Sequence, residues 1–144
     1  MYAAPMLKGD EIYQLIPQRA PIVMVDKLYS ADEQSAVTGL DIQEQNIFCQ
    51  DGRLMEPGVI EHIAQSAAAM AGYPYYKNGE APKLGYIGEI RKFKLFRLPE
   101  CGETLETRIK VKGIAGDVTL ITAESIADEG KVASCDMKIF LKKE

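Results

Sequence analysis

Pro57-Gly58-Val59-Ile60-Glu61-His62-Ile63-Ala64-Gln65-Ser66-Ala67-Ala68-Ala69-Met70-Ala71-Gly72-Tyr73 is the stretch that decides the fold. A turn signal opens it, and a glycine stands near its end. Between them the residues are apolar or small on almost every side, and only Glu61, His62, Gln65 and Ser66 interrupt the pattern. A helix with so little polar surface is buried. The rest of the chain must therefore surround it.

The polar residues of this helix are the first functional candidates. A buried carboxylate costs several kcal/mol unless it is paired, hydrogen-bonded or protonated, so Glu61 is either catalytic or a satisfied structural carboxylate. Gln65 lies four residues later on the same face and can orient Glu61. His62 points ~100° away from Glu61. We expect His62 to be a hydrogen-bonded structural or interface residue, with a catalytic role in its own or a second subunit's site as the alternative.

Outside this helix the sequence predicts a short helix and a series of strands. Gly9 and Asp10 can cap a helix that ends near Leu15, and Pro74 predicts that the long helix stops at Tyr73. Alternating apolar residues predict strands over 22–30, 36–42, 84–97, 104–112, 118–126 and 132–141, with loops over 43–56 and 113–116. Short connections favour an antiparallel sheet. The predicted fold is α+β, a curved antiparallel sheet around one central helix (the hotdog fold), as a single domain over 1–144.

Composition and charge exclude several function classes. The chain has 144 residues, 47% of them hydrophobic and 26% charged, which is typical of a globular domain. No apolar run reaches the ~20 residues of a membrane span and no leader is visible, so we expect a cytoplasmic protein. A net charge of −4 argues against nucleic-acid binding. One histidine and three scattered cysteines argue against a metal site and predict reduced, inert thiols.

A local basic segment departs from the acidic average. Arg91-Lys92-Phe93-Lys94-Leu95-Phe96-Arg97 alternates so that, as a strand, Phe93 and Leu95 share one face and Lys92 and Lys94 the other. Two interpretations stay open. The segment is a half-buried strand with a solvated charged side, or it is a docking surface for an acidic partner.

Five segments form a pattern in the same order as in one known family. They are Ile16-Pro17-Gln18-Arg19-Ala20-Pro21-Ile22-Val23-Met24-Val25-Asp26; Pro57-Gly58-Val59 with Glu61-His62-Ile63-Ala64-Gln65; Arg91-Lys92-Phe93-Lys94; Cys101-Gly102-Glu103; and Glu129-Gly130-Lys131-Val132-Ala133. The pattern resembles the β-hydroxyacyl-acyl carrier protein dehydratases of fatty-acid synthesis. Their motifs are Leu-Pro-His-Arg-x-Pro-x-x-x-Val-Asp, Pro-Gly-Val with Glu-Ala-x-Ala-Gln, a basic strand, a Pro-Gly-Asp turn and a Gly-Lys-x-Val-Ala hairpin.

Two departures accompany this resemblance. Gln18 stands at the position of the family's catalytic histidine, and Gly58 and Glu61 are two residues closer together than is usual in the family. The shorter spacing is similar to a divergent branch associated with aryl-polyene and flexirubin pigment synthesis. Either departure is compatible with altered or with unaltered chemistry.

The resemblance implies dehydration of a 3-hydroxyacyl thioester on acyl carrier protein, without metal or cofactor. Glu61 suits the acid, because burial disfavours the charged form of a carboxyl group. The Gly58 amide at the helix N-terminus suits the thioester carbonyl. The base is missing, because the amide of Gln18 does not accept a proton near neutral pH. The other implied site residues are Pro57, Val59 and Gln65 for substrate binding and Arg91, Lys92 and Lys94 for carrier docking.

Three functions remain open from the sequence. The leading one is a dehydratase of low or modified activity that forms a homodimer through the edge strand 84–97. The second is a non-catalytic subunit that completes a heterodimer with a related hotdog protein. The third is an acyl thioesterase in which Glu61 activates water, which would need no histidine.

Overall fold

The computed structural model describes residues 4–81, 85–128 and 130–141, and it contains a seven-stranded antiparallel sheet against one long helix. The strands are β1 (Leu7–Lys8), β2 (Lys27–Ala31), β3 (Ser35–Asp41), β4 (Cys49–Gln50), β5 (Arg53–Leu54), β6 (Gly85–Leu95), β7 (Thr104–Ala115), β8 (Val118–Ala127) and β9 (Gly130–Leu141). The large sheet has the order β1-β2-β3-β7-β8-β9-β6, and β4 pairs with β5 separately. A 3-10 helix covers Gly9–Gln14, where a short helix is predicted. No helix within the described ranges is long and apolar enough to cross a membrane.

The central helix α1 covers Glu56–Lys77 and confirms the helix predicted from residue 57. Its predicted end at Tyr73 is wrong, because α1 continues through Pro74 to Lys77. Pro74 removes the helical hydrogen bond to residue 70, and the packing of Tyr73 and Tyr76 against the core holds this end of the helix in place. Asn78 N–H donates to the carbonyls of Pro74 and Tyr75 and closes that turn.

Apolar side chains cover α1 on two sides. The larger cluster joins α1 to the sheet through fully buried residues such as Ile63, Ile109 and Met137. A smaller cluster on the other side is built from the N-terminal segment and contains Ile12, Leu15 and Ala69. Together these clusters bury much of the helix, as its composition predicts. A stripe that includes Ile60, Glu61, Ala64, Ala68 and Ala71 is only half-buried in the single chain.

Residues 22–26 do not form the first part of the strand predicted over 22–30, which begins only at Lys27. Ile22 and Val23 donate their N–H groups to Arg19 O, and side chains of α1 satisfy other backbone groups of this segment. Met24 N–H donates to Gln65 Oε1 (2.6 Å), and Met24 O is 2.6 Å from His62 Nδ1. Side chains of the helix therefore replace the ladder partner that a strand would need.

Most other strands lie where the sequence predicts them, with two main differences. The predicted loop over 43–56 contains the β4–β5 hairpin, which alternation over two residues per strand is too short to reveal. The predicted loop over 113–116 is mostly strand, because a bulge between Val111 and Gly113 keeps β7 paired with β8 as far as Ala115. Leu84, the expected first residue of β6, lies outside the described residues.

A buried polar network crosses the core around His62. Six polar side chains that are at most 1% exposed lie there: Thr38, His62, Gln65, Ser66, Thr107 and Ser125. His62 Nδ1–H donates to Met24 O, so Nε2 accepts from Thr107 Oγ1 at 2.8 Å. The Thr107 hydroxyl is in turn 2.6 Å from Ser125 Oγ. Burial lowers the pKa of His62 to about 4, and the neutral imidazole links α1 to β7 and β8.

His62 should make the protein less stable as the pH falls from 6.5 towards 4. In this window the unfolded chain binds a proton that the folded chain does not, because the pKa of His62 is about 4 when folded and 6.5 when unfolded. The free energy of unfolding should fall by about 2 kcal/mol between pH 7 and pH 5. Urea titrations at pH 7 and pH 5 measure this change in the free energy of unfolding. Burial raises the pKa of Asp26, which acts in the opposite direction.

A His62→Gln variant is the matched control, since the chain has no other histidine. Its free energy of unfolding should be lower at pH 7 but should change much less between pH 7 and pH 5. An equal loss in both proteins would contradict a buried neutral imidazole.

Candidate active site beside the central helix

Gln18, Glu61 and Gln65 line one cavity of about 240 Å³. It lies between α1, the segment that follows the 3-10 helix, and the β6–β9 edge of the sheet. Its other lining residues are mostly apolar or small: Leu15, Pro17, Ala64, Ala67, Ala68, Ala71, Gly85, Ile87 and Ile139. Residues that are 43 positions apart in sequence thus share one cavity.

Gln65 fixes the position of Glu61 within this cavity. Gln65 Nε2 donates to Glu61 Oε1 at 2.9 Å and to Ile22 O at 3.0 Å, while Gln65 Oε1 accepts from Met24 N–H. Both the nitrogen and the oxygen of the Gln65 side chain are hydrogen-bonded, which fixes the orientation of the amide. Glu61 is half-buried rather than fully buried in the single chain. Its other oxygen, Oε2, has no hydrogen-bond partner among the described residues.

Gln18 stands in the cavity with an unsatisfied oxygen. Its Oε1 is buried and has no hydrogen-bond partner among the described residues. The adjacent residue holds its backbone in place: Arg19 Nη1 donates to the carbonyls of Ile16 (2.8 Å) and Gln18 (2.9 Å). A buried acceptor beside a cavity can accept a hydrogen bond from a molecule that enters the cavity.

Close packing against α1 brings this segment to the site. Gly72 faces the carbonyl oxygen of Leu15, and a Cβ at this position would collide with that oxygen. Glycine at position 72 therefore lets the chain that carries Gln18 approach the helix backbone. Ala67 packs in the core, as expected of a small residue, but Ala64, Ala68 and Ala71 are half-exposed and line the cavity.

The cavity contains an acid and two amides but no second titratable group. Glu61 is the only ionisable side chain among the described residues that line it. His62, the adjacent residue, uses both ring nitrogens in the core network and cannot take the proton of a substrate in this arrangement. The geometry thus provides a proton donor or acceptor at one point only.

The first turn of α1 is less open than the sequence suggests. Gly58 N–H, expected to bind a thioester carbonyl, donates to Met55 O at 2.9 Å. Phe48 and Leu54 pack so closely on Gly58 that a side chain there would clash with them. Pro57, Gly58 and Val59 do not line the described cavity. Their predicted roles stay predictions.

A second cavity continues along α1, and it was not predicted from the sequence. It measures about 360 Å³ and shares Ala67, Ala71 and Ile139 with the first. Its other lining residues are Asp32, Glu33, Gln34, Met70, Pro74, Tyr75, Val111, Ile114 and Thr119. The two cavities together form a largely apolar path that leads away from Glu61. The spacing of Ala64, Ala68 and Ala71 was the one available signal, since it places them on one side of the helix.

The predicted docking residues lie on an edge strand. β6 pairs only with β9 among the described strands, and Arg91, Lys92 and Lys94 are exposed on it. Phe93 and Leu95 are half-buried against the core, as the alternation predicts. A bulge lies between Arg91 and Lys94, and Lys92 has a φ of 55° there. The bulge bends this edge without turning the two lysines inward.

A comparison with protein families identifies the chain's relatives. A model of the ApeP-like dehydratases (described as "ApeP dehydratase") matches residues 10–144. The chain belongs to the ApeP-like dehydratase family. The 3-hydroxyacyl-[acyl-carrier-protein] dehydratase FabZ of Clostridium botulinum strain Hall is 32% identical over 136 residues, covering 87% of this chain and 88% of that protein. FabZ of Clostridium novyi is 28% identical over 134 residues, covering 88% and 92%.

Solved structures confirm the hotdog fold that was predicted for this ApeP-like chain. The dehydratase heterocomplex ApeI:P from Xenorhabdus doucetiae matches with a TM-score of 0.83 at 16% identity, covering 92% of this chain and 91% of that chain. A hypothetical thioesterase with coenzyme A from Streptococcus pneumoniae matches with a TM-score of 0.65 at 8% identity, covering 82% and 86%. At these identities the likeness shows the fold alone. No group of three or more potential metal ligands occurs in the described part of the chain.

Exchanging the two partners of the Glu61–Gln65 hydrogen bond should show how strongly it holds the site. Gln65→Glu should lower the free energy of unfolding by about 1–3 kcal/mol, because Ile22 O loses its donor and two carboxylates then face each other. The double variant Glu61→Gln, Gln65→Glu restores a donor–acceptor pair with reversed direction. It should recover part of the loss in urea unfolding at pH 7.

The single variant Glu61→Gln is the matched control and should change stability little. If the double variant is as unstable as the sum of the two single variants, the two side chains are not coupled, and Gln65 does not position Glu61.

Proposed function

We propose that this protein takes part in dehydrating 3-hydroxyacyl thioesters on acyl carrier protein, as one subunit of a hotdog dimer. The observation that carries the proposal is the shared cavity of Gln18, Glu61 and Gln65. It joins a positioned carboxyl group to an apolar path along α1. The named activity of the FabZ relatives supports the substrate class.

In the proposed reaction Glu61 is the acid. A base removes a proton from C2, the C3 hydroxyl leaves as water after Glu61 protonates it, and a C2–C3 double bond remains. Oε2 of Glu61 delivers the proton while Oε1 is held by Gln65. The largely apolar lining favours an acyl chain over a polar substrate. The second cavity, whose lining is mainly apolar apart from Asp32, Glu33, Gln34 and Thr119, would hold the distal part of that chain.

No described residue that lines the cavity, apart from Glu61, can act as the base. A positioned general base contributes ~10²–10⁴-fold in rate, so a homodimer with Gln18 at both sites should be slow. A related hotdog subunit that carries histidine at the corresponding position would supply a complete site. The ApeI:P structure is described as a dehydratase heterocomplex, which supports a partner of this kind. The unsatisfied Oε1 of Gln18 would accept a hydrogen bond from bound substrate.

Restoring histidine at position 18 should raise activity. Gln18→His places an imidazole in the cavity of Glu61, where it can abstract the C2 proton. Dehydration of a 3-hydroxyacyl carrier thioester should increase ~10²–10⁴-fold over the unaltered protein. Enoyl product is measured by absorbance and mass spectrometry. The double variant Gln18→His, Glu61→Gln should stay slow, because its acid is missing.

Two outcomes would contradict the dehydratase assignment. A folded Gln18→His protein with no gain over several chain lengths would favour the non-catalytic subunit. Release of free acid from a saturated acyl thioester by the unaltered protein, lost in Glu61→Gln, would show a thioesterase.

The basic residues of β6 should dock an acidic carrier protein. Changing Lys92 and Lys94 to Glu should raise the Kd of the carrier about tenfold or more at low salt and flatten its salt dependence. Lys8→Glu with Lys110→Glu is the matched control, because both double variants take the net charge from −4 to −8. Isothermal titration calorimetry measures the Kd of the carrier for each double variant at low and high salt. Equal losses in the two variants would show that only net charge matters.

A further inference from the structure

Two cysteines that are far apart in sequence lie together in the fold. The Sγ atoms of Cys49 and Cys101 are 3.6 Å apart, although 52 positions separate the residues. Both side chains are half-buried and both thiols are free. The third cysteine, Cys135, is buried in β9. The sequence predicts reduced, inert thiols at all three positions.

The backbone already holds the two cysteine-bearing segments side by side. Cys101 N–H donates to Gly52 O at 2.9 Å, and Leu54 N–H donates to Pro99 O at 2.9 Å. The β4–β5 hairpin is thus fastened to the turn that precedes β7. A disulfide has an S–S distance of about 2.05 Å, so the two sulfurs need to approach by about 1.5 Å.

We propose that Cys49 and Cys101 form a reversible disulfide, with a small-molecule disulfide such as glutathione disulfide as the oxidant. One protein thiolate attacks glutathione disulfide, which gives a mixed disulfide and one glutathione. The second protein thiolate attacks the mixed disulfide and releases the other glutathione. Two protein thiols are oxidised, and one glutathione disulfide is reduced to two glutathione thiols.

The disulfide would lock the hairpin that leads into α1. Phe48 and Leu54, at the two ends of this hairpin, pack against Gly58 in the first helical turn. Closing a loop of about 50 residues removes conformational entropy from the unfolded chain. Oxidation should therefore raise Tm and reduce opening of the hairpin at the start of the helix.

Burial makes this exchange slow at neutral pH. It raises the pKa of Cys49 to about 11, so this group is a thiol at pH 7 and only its thiolate reacts. Exchange steps in which Cys49 is the attacking group are therefore slow at pH 7. Raising the pH to 8.5 increases the thiolate fraction of Cys49 more than tenfold.

The test oxidises the full-length protein at pH 8.5 with excess glutathione disulfide. Free thiols are then alkylated in denaturant and the chain is digested with trypsin. We expect a disulfide between the peptides 28–53 and 98–108, with Cys135 alkylated in peptide 132–138. Tm should rise by at least about 5 °C and return to its first value with dithiothreitol. Cys135→Ser is the matched control and should behave in the same way.

Three results would overturn the proposal. They are persistence of both thiols, accumulation of glutathione on the two cysteines without a link between them, and a link that involves Cys135. An equal rise of Tm in Cys101→Ser would show that the stabilisation has another source. None of these readouts depends on enzymatic activity, so this proposal and the proposed dehydratase function can fail separately.

Discussion

The structure depends on two side chains of α1 that hydrogen-bond the backbone of the segment preceding β2. His62 and Gln65 meet the carbonyl and the N–H of Met24, and Gln65 also meets the carbonyl of Ile22. These groups are buried, where an unsatisfied donor or acceptor costs about 1–3 kcal/mol. The helix and the segment therefore stay together or both lose their partners. This constraint keeps the segment between the 3-10 helix and β2, which carries Gln18, beside α1.

The candidate site follows from that constraint. The side-chain amide of Gln65 binds the segment and also donates to Glu61, so the same group stabilises the fold and orients the carboxyl group. Gly72 allows the chain before Gln18 to lie directly against the helix. The half-buried stripe of small residues then leaves a cavity that continues along α1. Stability and site geometry share the same few contacts, so changes at Gln65 should affect both.

Much of the fold could be predicted from the sequence, because its pattern is local. The apolar helix and the alternation of β3, β8 and β9 depend on neighbours within a few residues. The irregular segment at 22–26 could not be predicted. Ile22 to Val25 look like a strand, but Met24 and the carbonyl of Ile22 hydrogen-bond the distant side chains of Gln65 and His62. The continuation of α1 through Pro74 was missed because it depends on tertiary packing, with Tyr73 and Tyr76 against the smaller core cluster.

The site was partly accessible to the same reasoning. Glu61 and Gln65 stood out as polar residues on an apolar helix, and the resemblance pointed to Gln18. Other features depend on tertiary packing, which the spacing of residues along the sequence does not reveal. They are the second cavity, the contact of Cys49 with Cys101, and the hydrogen bond from Gly58 N–H to Met55 O. The sequence predicted a structural role for His62, but it did not predict the partners of His62 on β7 and β8.

A crystal structure with a 3-hydroxyacyl pantetheine amide, whose amide replaces the labile thioester, tests the central claim most directly. The account predicts that the C3 hydroxyl lies within about 3.2 Å of Glu61 Oε2. It also predicts that the acyl chain runs along α1 past Ala67 and Ala71 into the second cavity. An acyl chain bound elsewhere, with Glu61 touching only Gln65, would contradict it.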